Sequence, residues 1–285
     1  MALIGALGDR ISQVETNLRA PSNKPSSKSR PDRADVLGCE IDRVTLADAL
    51  DHCEQTIAAR GHMQHMAINA AKLVLMRKDR ELAEVIRGCE LVTADGQAIV
   101  WVSRLLGDPL PERVTGIDLM ESLLERSSRH GYRVYILGAR QDVLEQAVLR
   151  LRERFADLQI VGYRNGYFSA EEEPLVAAEI RRSQPDILFV AISSPRKELF
   201  LGRHGAQLGV PFVMGVGGAI DVVAGMTRRA PALMQRTGLE WLFRLLQEPR
   251  RLFRRYAVTN LVFIGLVVID MLKRRLGFRT SGAGA

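Results

Sequence analysis

Cys89-Glu-Leu-Val-Thr93-Ala-Asp95-Gly96-Gln-Ala-Ile-Val100 decides how the chain folds. A short apolar run ends in Thr93, one carboxylate and one glycine follow, and an apolar helical pattern begins near Gln97. That is the signature of a strand, a tight loop and a helix. In an open α/β sheet, ligands gather where such loops leave the carboxyl ends of the strands. Asp95 would stand at such an end, with Gly96 permitting a sharp turn or a close backbone approach. Asp is also a favoured helix cap, so this stretch alone leaves capping and catalysis both open.

The same unit recurs on either side. Met63 to Ile68 reads as a strand ending at Asn69, followed by helical patterns at Ala70 to Met76 and Arg80 to Cys89. Further on, the apolar runs Arg133 to Leu137, Gln159 to Val161, Ile187 to Ile192 and Pro211 to Met214 alternate with helical stretches. Strands apolar throughout, separated by helices of about 10 to 15 residues, predict an α/β fold: a Rossmann-like, mostly parallel sheet flanked by helices. Right-handed crossovers would bring the loops at Gly138, Ser193-Ser194-Pro195 and Gly215 to Gly218 to one edge.

Three regions are expected. Residues 1–34 carry the Pro/Ser/Lys-rich run from Ala20 to Pro31, which is too polar to offset its ordering entropy, and read as a flexible tail. Residues 35–225 form the α/β catalytic domain. Residues 226–285 form a basic amphipathic helical appendage: Arg228, Arg229, Arg236, Arg244, Arg250, Arg251, Arg254 and Arg255 are opposed only by Glu240 and Glu248, with aromatic and aliphatic residues interleaved. The apolar run Ala257 to Leu272 is shorter than the roughly 20 residues of a spanning helix and carries Asn260 and Asp270. A helix lying against a bilayer or the protein body is expected, its arginines facing anionic headgroups. Removing everything after Arg236 should then leave a soluble fold that binds anionic vesicles weakly.

A net charge of +7 points to acidic partners: nucleic acid, anionic lipid or phosphorylated substrates. Cys39, Cys53 and Cys89 have no paired or metal-type spacing and read as free thiols in a reducing compartment. The first residues lack a basic leader and meet Asp9 early, which argues against a secretory signal.

Gly215-Val-Gly217-Gly218 before a helix start suits a phosphate, since backbone amides and glycines allow close approach, or is a plain tight turn. It lacks the third glycine of a dinucleotide fingerprint, and no Gly-Lys-Ser/Thr phosphate loop occurs. Asp221 follows, where it could accept hydrogen bonds from a ribose or base or merely sit in the first helical turn. Pro195-Arg-Lys197-Glu198 opens a helix with ordinary start signals, but Lys197 at its positive end could engage a phosphate or be a solvated surface lysine; Arg113 has the same two readings. His62 and His65 lack a completing ligand set and read as structural. No Asp-x-Asp, serine triad or nucleophile elbow is present.

Together these stretches resemble the WecG/TagA/CpsF family of bacterial glycosyltransferases, glycosyltransferase family 26. The resemblance rests on Ala67-Ile-Asn69-Ala, Thr93-Ala-Asp95-Gly96, Glu112-Arg-Val-Thr-Gly-Ile-Asp118 and Arg164-Asn-Gly-Tyr-Phe168. It continues through Pro195-Arg-Lys-Glu198, Gly215 to Gly225, Arg229-Ala-Pro231, Gly238 to Arg244 and Glu248-Pro-Arg-Arg. These motifs run collinearly over roughly residues 36 to 256.

The resemblance implies an inverting transfer of a hexose from a UDP-sugar to a polyprenyl-diphosphate-linked sugar. The alternative within the family is transfer of N-acetylmannosamine or its uronic acid. It implies work in cell-surface or exopolysaccharide biosynthesis at the cytoplasmic face of the inner membrane, as a peripheral protein. Asp95 would be the general base. Asn69, Thr93, Gly96, Arg113, Thr115, Gly138, Pro195, Lys197, Glu198, Gly215, Gly217, Gly218 and Asp221 would bind substrate. Arg229, Arg236, Arg244, Arg251, Arg254 and Arg255 would meet the membrane or the lipid diphosphate. No cofactor and no metal are expected, nucleic acid is not expected as a partner, and a homo-oligomer is left open. Two departures bear on the sugar: Ala67 stands where many relatives have Thr, and Lys197 where many have Gln, so a glutamine's role is not carried over.

Two other classes compete. A nicotinamide-dependent oxidoreductase would explain the glycine loops but not the missing fingerprint, and titration with NAD against UDP separates it. A non-catalytic membrane adaptor would bind liposomes and release no UDP from any donor.

Overall fold

A computed structural model describes residues 31–276, without the side chains of Arg236, Arg251, Leu252, Arg254 and Arg255. Most of the expected tail therefore lies outside the described residues. Its boundary at residue 34 is corrected. The chain opens with an antiparallel hairpin, β1 (Arg33–Val36) and β2 (Cys39–Asp42), turning through Leu37 and Gly38 with φ of 58° and 78°. Two successive left-handed residues are what a tight hairpin turn demands. Ala34 is fully buried.

The elements then alternate as α1 (Leu46–Ala58), β3 (Met63–Ile68), α2 (Ala70–Met76), α3 (Arg80–Gly88), β4 (Leu91–Ala94) and α4 (Gln97–Leu105). They continue as α5 (Gly116–His130), β5 (Arg133–Gly138), α6 (Gln141–Arg154), β6 (Gln159–Arg164), α7 (Glu173–Ser183), β7 (Ile187–Ala191), α8 (Arg196–His204) and β8 (Phe212–Gly215). Last come α9 (Ala219–Val223), α10 (Ala232–Arg236), α11 (Glu240–Gln247) and α12 (Pro249–Arg275).

Six strands form one parallel sheet in the order β4-β3-β8-β7-β5-β6. Alternation along β5 shows both faces covered: Val134 and Ile136 pack with α1, α5 and α6, while Tyr135 and Leu137 pack with α7 and α8. A third cluster joins Val92 and Ala94 of β4 to the hairpin, α2, α3, α4 and α12. Between β3 and β8 the connections diverge, β3 leading out to β4 and β8 being reached from β7. That is the switch point at which an open sheet leaves a crevice.

The hairpin covers the exposed edge of β4. The buried Asp42 carboxylate accepts the Val92 N–H at 2.6 Å and the Arg33 Nε–H at 2.8 Å, and Arg33 also donates to the Cys89 carbonyl at 2.9 Å. An unpaired strand edge is thereby satisfied. Asp42→Ala would leave a buried amide and guanidinium without their acceptor. Urea denaturation should show a loss of about 3 kcal/mol at unchanged slope; a loss below about 1 kcal/mol would mean that the hairpin does not secure the edge.

Cys39, Cys53 and Cys89 are buried free thiols, and burial pushes Cys39 and Cys89 up to about 12. His65 is buried, its Nε2 2.9 Å from Thr93 Oγ1, and desolvation lowers it to about 3. It is a neutral core residue.

The appendage is packed on the body. Phe263 and Val267 of α12 are buried in the β4-side cluster, and α12 lies along α2. A clean truncation after Arg236 is thus not expected: it would uncover that core. The helix is also longer than the apolar run implied. Tyr256–Arg275 is 20 residues and contains an 18-residue window of mean hydropathy 1.7, long and apolar enough to cross a membrane by length and composition alone. Asp270 is nonetheless buried, and it pairs with Arg274 at 2.8 Å.

Candidate active site

The ends of β3, β4, β7 and β8 open into a cleft of about 890 Å³, a volume suited to a small-molecule substrate. Parallel pairing of Ile68 with Ala94 sets Asn69 and Asp95 side by side at the strand ends. The Asp95 N–H extends the ladder by donating to the Ile68 carbonyl at 2.7 Å. Gly96 is the N-cap of α4 and makes no side-chain cap, so Asp95 does not cap the helix that follows it. Its Oδ1 instead accepts the Gly116 N–H at 3.2 Å. Gly116 begins the 15-residue α5, and the positive end of that helix favours the carboxylate.

Asp95 keeps a partly accessible edge on the cleft within dense surroundings. Desolvation raises its pKa above the ordinary carboxylate value. The Gly116 N–H, Lys72 and Arg113 oppose that rise, while Glu240 adds to it. A carboxylate of raised pKa is a stronger base than a free one, which suits proton abstraction.

Asn69 caps α2, its side-chain oxygen accepting the Lys72 N–H at 3.0 Å. Lys72, which the sequence reading did not single out, turns its Nζ to within 3.0 Å of Glu198 Oε1. Lys197 Nζ lies 3.0 Å from the same oxygen. One buried carboxylate therefore serves two buried ammonium groups. Desolvation works against the Glu198 anion, but Lys72 and Lys197 outweigh it and hold the carboxyl at about 2. Burial, then repulsion from Lys72, brings Lys197 down to about 8.

The glycine loop meets two cations. A Cβ on Gly215 would stand 2.7 Å from Lys197 Cε, and one on Gly218 would collide with the Arg244 guanidinium. A side chain at Gly215 or Gly218 would therefore have to displace Lys197 or Arg244. Gly217, at φ of 50°, has open space where a Cβ would be. Arg113 pairs with Glu240 of α11 at 2.7 Å, joining the appendage to the cleft wall.

The structure brings Asn69, Asp95, Gly96, Arg113, Thr115, Lys197, Gly215, Gly217, Gly218, Arg229 and Arg244 onto this one cleft. Other expected residues stand behind it. Thr93 is buried and donates to the Val114 carbonyl at 3.1 Å. Glu198 is the fully buried counter-ion. Pro195 and Asp221 do not line the cleft, although Ser194 does. Gly138 does not line the cleft either, and it is needed for packing: its Cβ would stand 2.7 Å from the Ala191 backbone of β7.

Arg229, expected at the membrane or the lipid diphosphate, lines the cleft. It is held by Asp118 and, at 3.5 Å, by Glu121 of α5. The side chains of Arg236, Arg251, Arg254 and Arg255 lie outside what is described. Among the described residues, no group of three His, Cys, Asp or Glu is placed to hold a metal ion.

A carboxylate of raised pKa sharing a cleft with a glycine loop flanked by cations is the equipment for group transfer from a phosphorylated donor. This chain belongs to the WecG/TagA/CpsF glycosyl transferase family, whose description matches residues 34–277. It is a glycosyltransferase. Over 178 residues it is 35% identical to the N-acetylglucosaminyldiphosphoundecaprenol N-acetyl-beta-D-mannosaminyltransferase of Bacillus spizizenii, a match covering 62% of this chain and 68% of that enzyme.

Proposed function

We propose that this chain transfers an N-acetylmannosaminyl unit, with inversion, from its UDP-sugar to a sugar carried on polyprenyl diphosphate. The Bacillus relative's name favours this alternative over the unspecified hexose of the main sequence reading. Asp95 removes the proton from the acceptor hydroxyl as its oxygen attacks the anomeric carbon. The bond from that carbon to the diphosphate oxygen breaks, and UDP leaves with the electron pair. Lys197, Arg244 and the amides of the Gly215–Gly218 loop stabilise the charge that develops on the leaving group. The observation that carries this reading is the single cleft shared by Asp95 and the cation-flanked glycine loop. No cofactor is part of the proposal.

The protein acts as a peripheral enzyme at the cytoplasmic membrane face. The exposed side of α12, with Leu261, Ile269 and Leu272, supplies an apolar surface for the bilayer.

The test is a panel of UDP-sugars offered with a lipid-diphosphate-linked N-acetylglucosamine. UDP-N-acetylmannosamine should give product at least about tenfold faster than UDP-glucose or UDP-N-acetylglucosamine. Equal or faster transfer from a plain hexose donor would restore the main sequence reading.

The pH dependence has a defined sign. Asp95 must be deprotonated, and its raised pKa delays that relative to an ordinary carboxyl. Lys197 must be protonated, and its ammonium is lost near pH 8. Turnover should thus be bell-shaped with its alkaline limb near 8. In Lys197→Arg that limb should move up by more than one pH unit, because guanidinium stays charged. An unmoved limb would take Lys197 out of leaving-group stabilisation.

A further inference from the structure

Beyond its polar end the cleft continues as an apolar trough. Ile264, Val268 and Met271 recur on α12 at spacings of one and two turns and form one wall. Trp101 and Leu105, one turn apart on α4, form the other, and Leu75 of α2 joins them. Trp101 is 53% exposed, Leu105 58%, Ile264 58% and Val268 49%. Among the described residues, no charged side chain of α4 or α12 lines the cleft; its described charges come from other elements, Lys72, Asp95, Arg113, Lys197 and Arg244 among them. The far end is fixed by Arg274, which pairs with Asp270 on α12 and donates to the Leu106 carbonyl, just beyond α4, at 2.9 Å. A cavity cationic at one end and hydrocarbon-lined at the other is complementary to a lipid diphosphate, and a nucleotide sugar has nothing apolar to place there.

We propose that the trough between α4 and α12 binds the first isoprene units of the acceptor's polyprenyl chain, so that the enzyme selects its acceptor by lipid as well as by sugar. This deepens the functional reading above and rests on it. The diphosphate of the acceptor lies towards the cations, the isoprenoid lies along Trp101 and Val268, and the outer face of α12 remains for the bilayer. Burial of methyl-branched chain against these exposed side chains is the driving force. Short-chain acceptors forgo it.

Tryptophan fluorescence tests this directly, because the chain has two tryptophans, Trp101 and Trp241, and both line the cleft. The Trp241→Phe protein leaves Trp101 as the reporter. It is titrated with geranylgeranyl diphosphate and with dimethylallyl diphosphate, which share a head and differ in chain length. The longer ligand should bind at least about tenfold tighter and shift Trp101 emission to the blue. Val268→Glu, and Leu105→Glu on the opposite wall, should bring the two affinities within about threefold while UDP binding is unchanged.

Equal affinities for the two ligands, or a preference that survives both substitutions, would overturn the trough. So would a Trp101 shift produced by phosphatidylglycerol vesicles but not by the soluble prenyl diphosphate, which would assign this face to the bilayer. UDP binding separates the failures. If it persists without a chain-length preference, the trough falls and the functional reading stands; absence of both UDP binding and sugar transfer removes both.

Discussion

Asp95→Asn is expected to fold like the parent and to lose glycosyl transfer by more than about 10²-fold, the contribution of a positioned general base. The amide keeps an oxygen for the Gly116 N–H, whose bond to Oδ1 is 3.2 Å, so the start of α5 is undisturbed. What is lost is a lone pair able to take a proton. UDP affinity should change by less than about threefold, because the glycine loop, Lys197 and Arg244 are untouched. The measurement is single-turnover transfer to a lipid-linked acceptor, with UDP binding followed in parallel. Near-normal turnover would remove Asp95 from the chemistry and return it to a purely structural place at the head of α5.

The second large effect concerns Glu198. Its carboxylate is the shared partner of Lys72 and Lys197, both at 3.0 Å from Oε1. Glu198→Gln leaves two ammonium groups buried without that charge and should cost about 3–5 kcal/mol of stability. The pH dependence distinguishes this from a simple packing defect. In the parent, Glu198 is held at about 2 against an ordinary 4.5, so its contribution is present above 4.5 and is lost as pH falls towards 2. Lys197 is depressed to about 8 from 10.5, so the folded state binds fewer protons than the unfolded one and stability rises with pH between these values. Without Glu198 the ammonium is still less favourable. The deficit of the variant should therefore be largest near neutral pH and shrink as pH rises through 8 and beyond. A deficit that does not change with pH would mean that the two lysines are not paired through this carboxylate.

The repeated strand–loop–helix units were legible because their strands are buried on both faces. Ile187-Leu-Phe-Val has no polar residue, and all four are fully buried. The hairpin was not legible. Each of its strands has four residues, its turn is Leu-Gly where Asn-Gly would signal a hairpin, and it adjoins a Pro/Ser/Lys-rich run. Its role in covering β4 depends on Asp42 reaching Val92, a contact that local periodicity does not encode.

Within the site, Asp95 and the glycine loop stood out because strand ends and glycines mark themselves in sequence. Lys72 did not. A lysine in Ala70-Ala-Lys-Leu-Val-Leu-Met76 reads as a solvated residue until Glu198 is brought to it across the fold. At Gly138 the packing demand was hidden: a glycine after a strand reads as a ligand cradle, and the structure adds that it admits the backbone of β7. The pairing of Arg229 with Asp118 and Glu121 was likewise not legible, because those partners lie on α5, far away in sequence.

The most direct test of the juxtaposition at the centre of this proposal is a crystal structure of the enzyme with a non-transferable UDP-sugar analogue. The diphosphate should lie on the amides of Gly217 and Gly218 within reach of Lys197 and Arg244. The anomeric carbon should face Asp95 across a gap that admits an acceptor hydroxyl about 3 Å from the carboxylate. A sugar turned away from Asp95, or a diphosphate bound elsewhere than on the glycine loop, would contradict it.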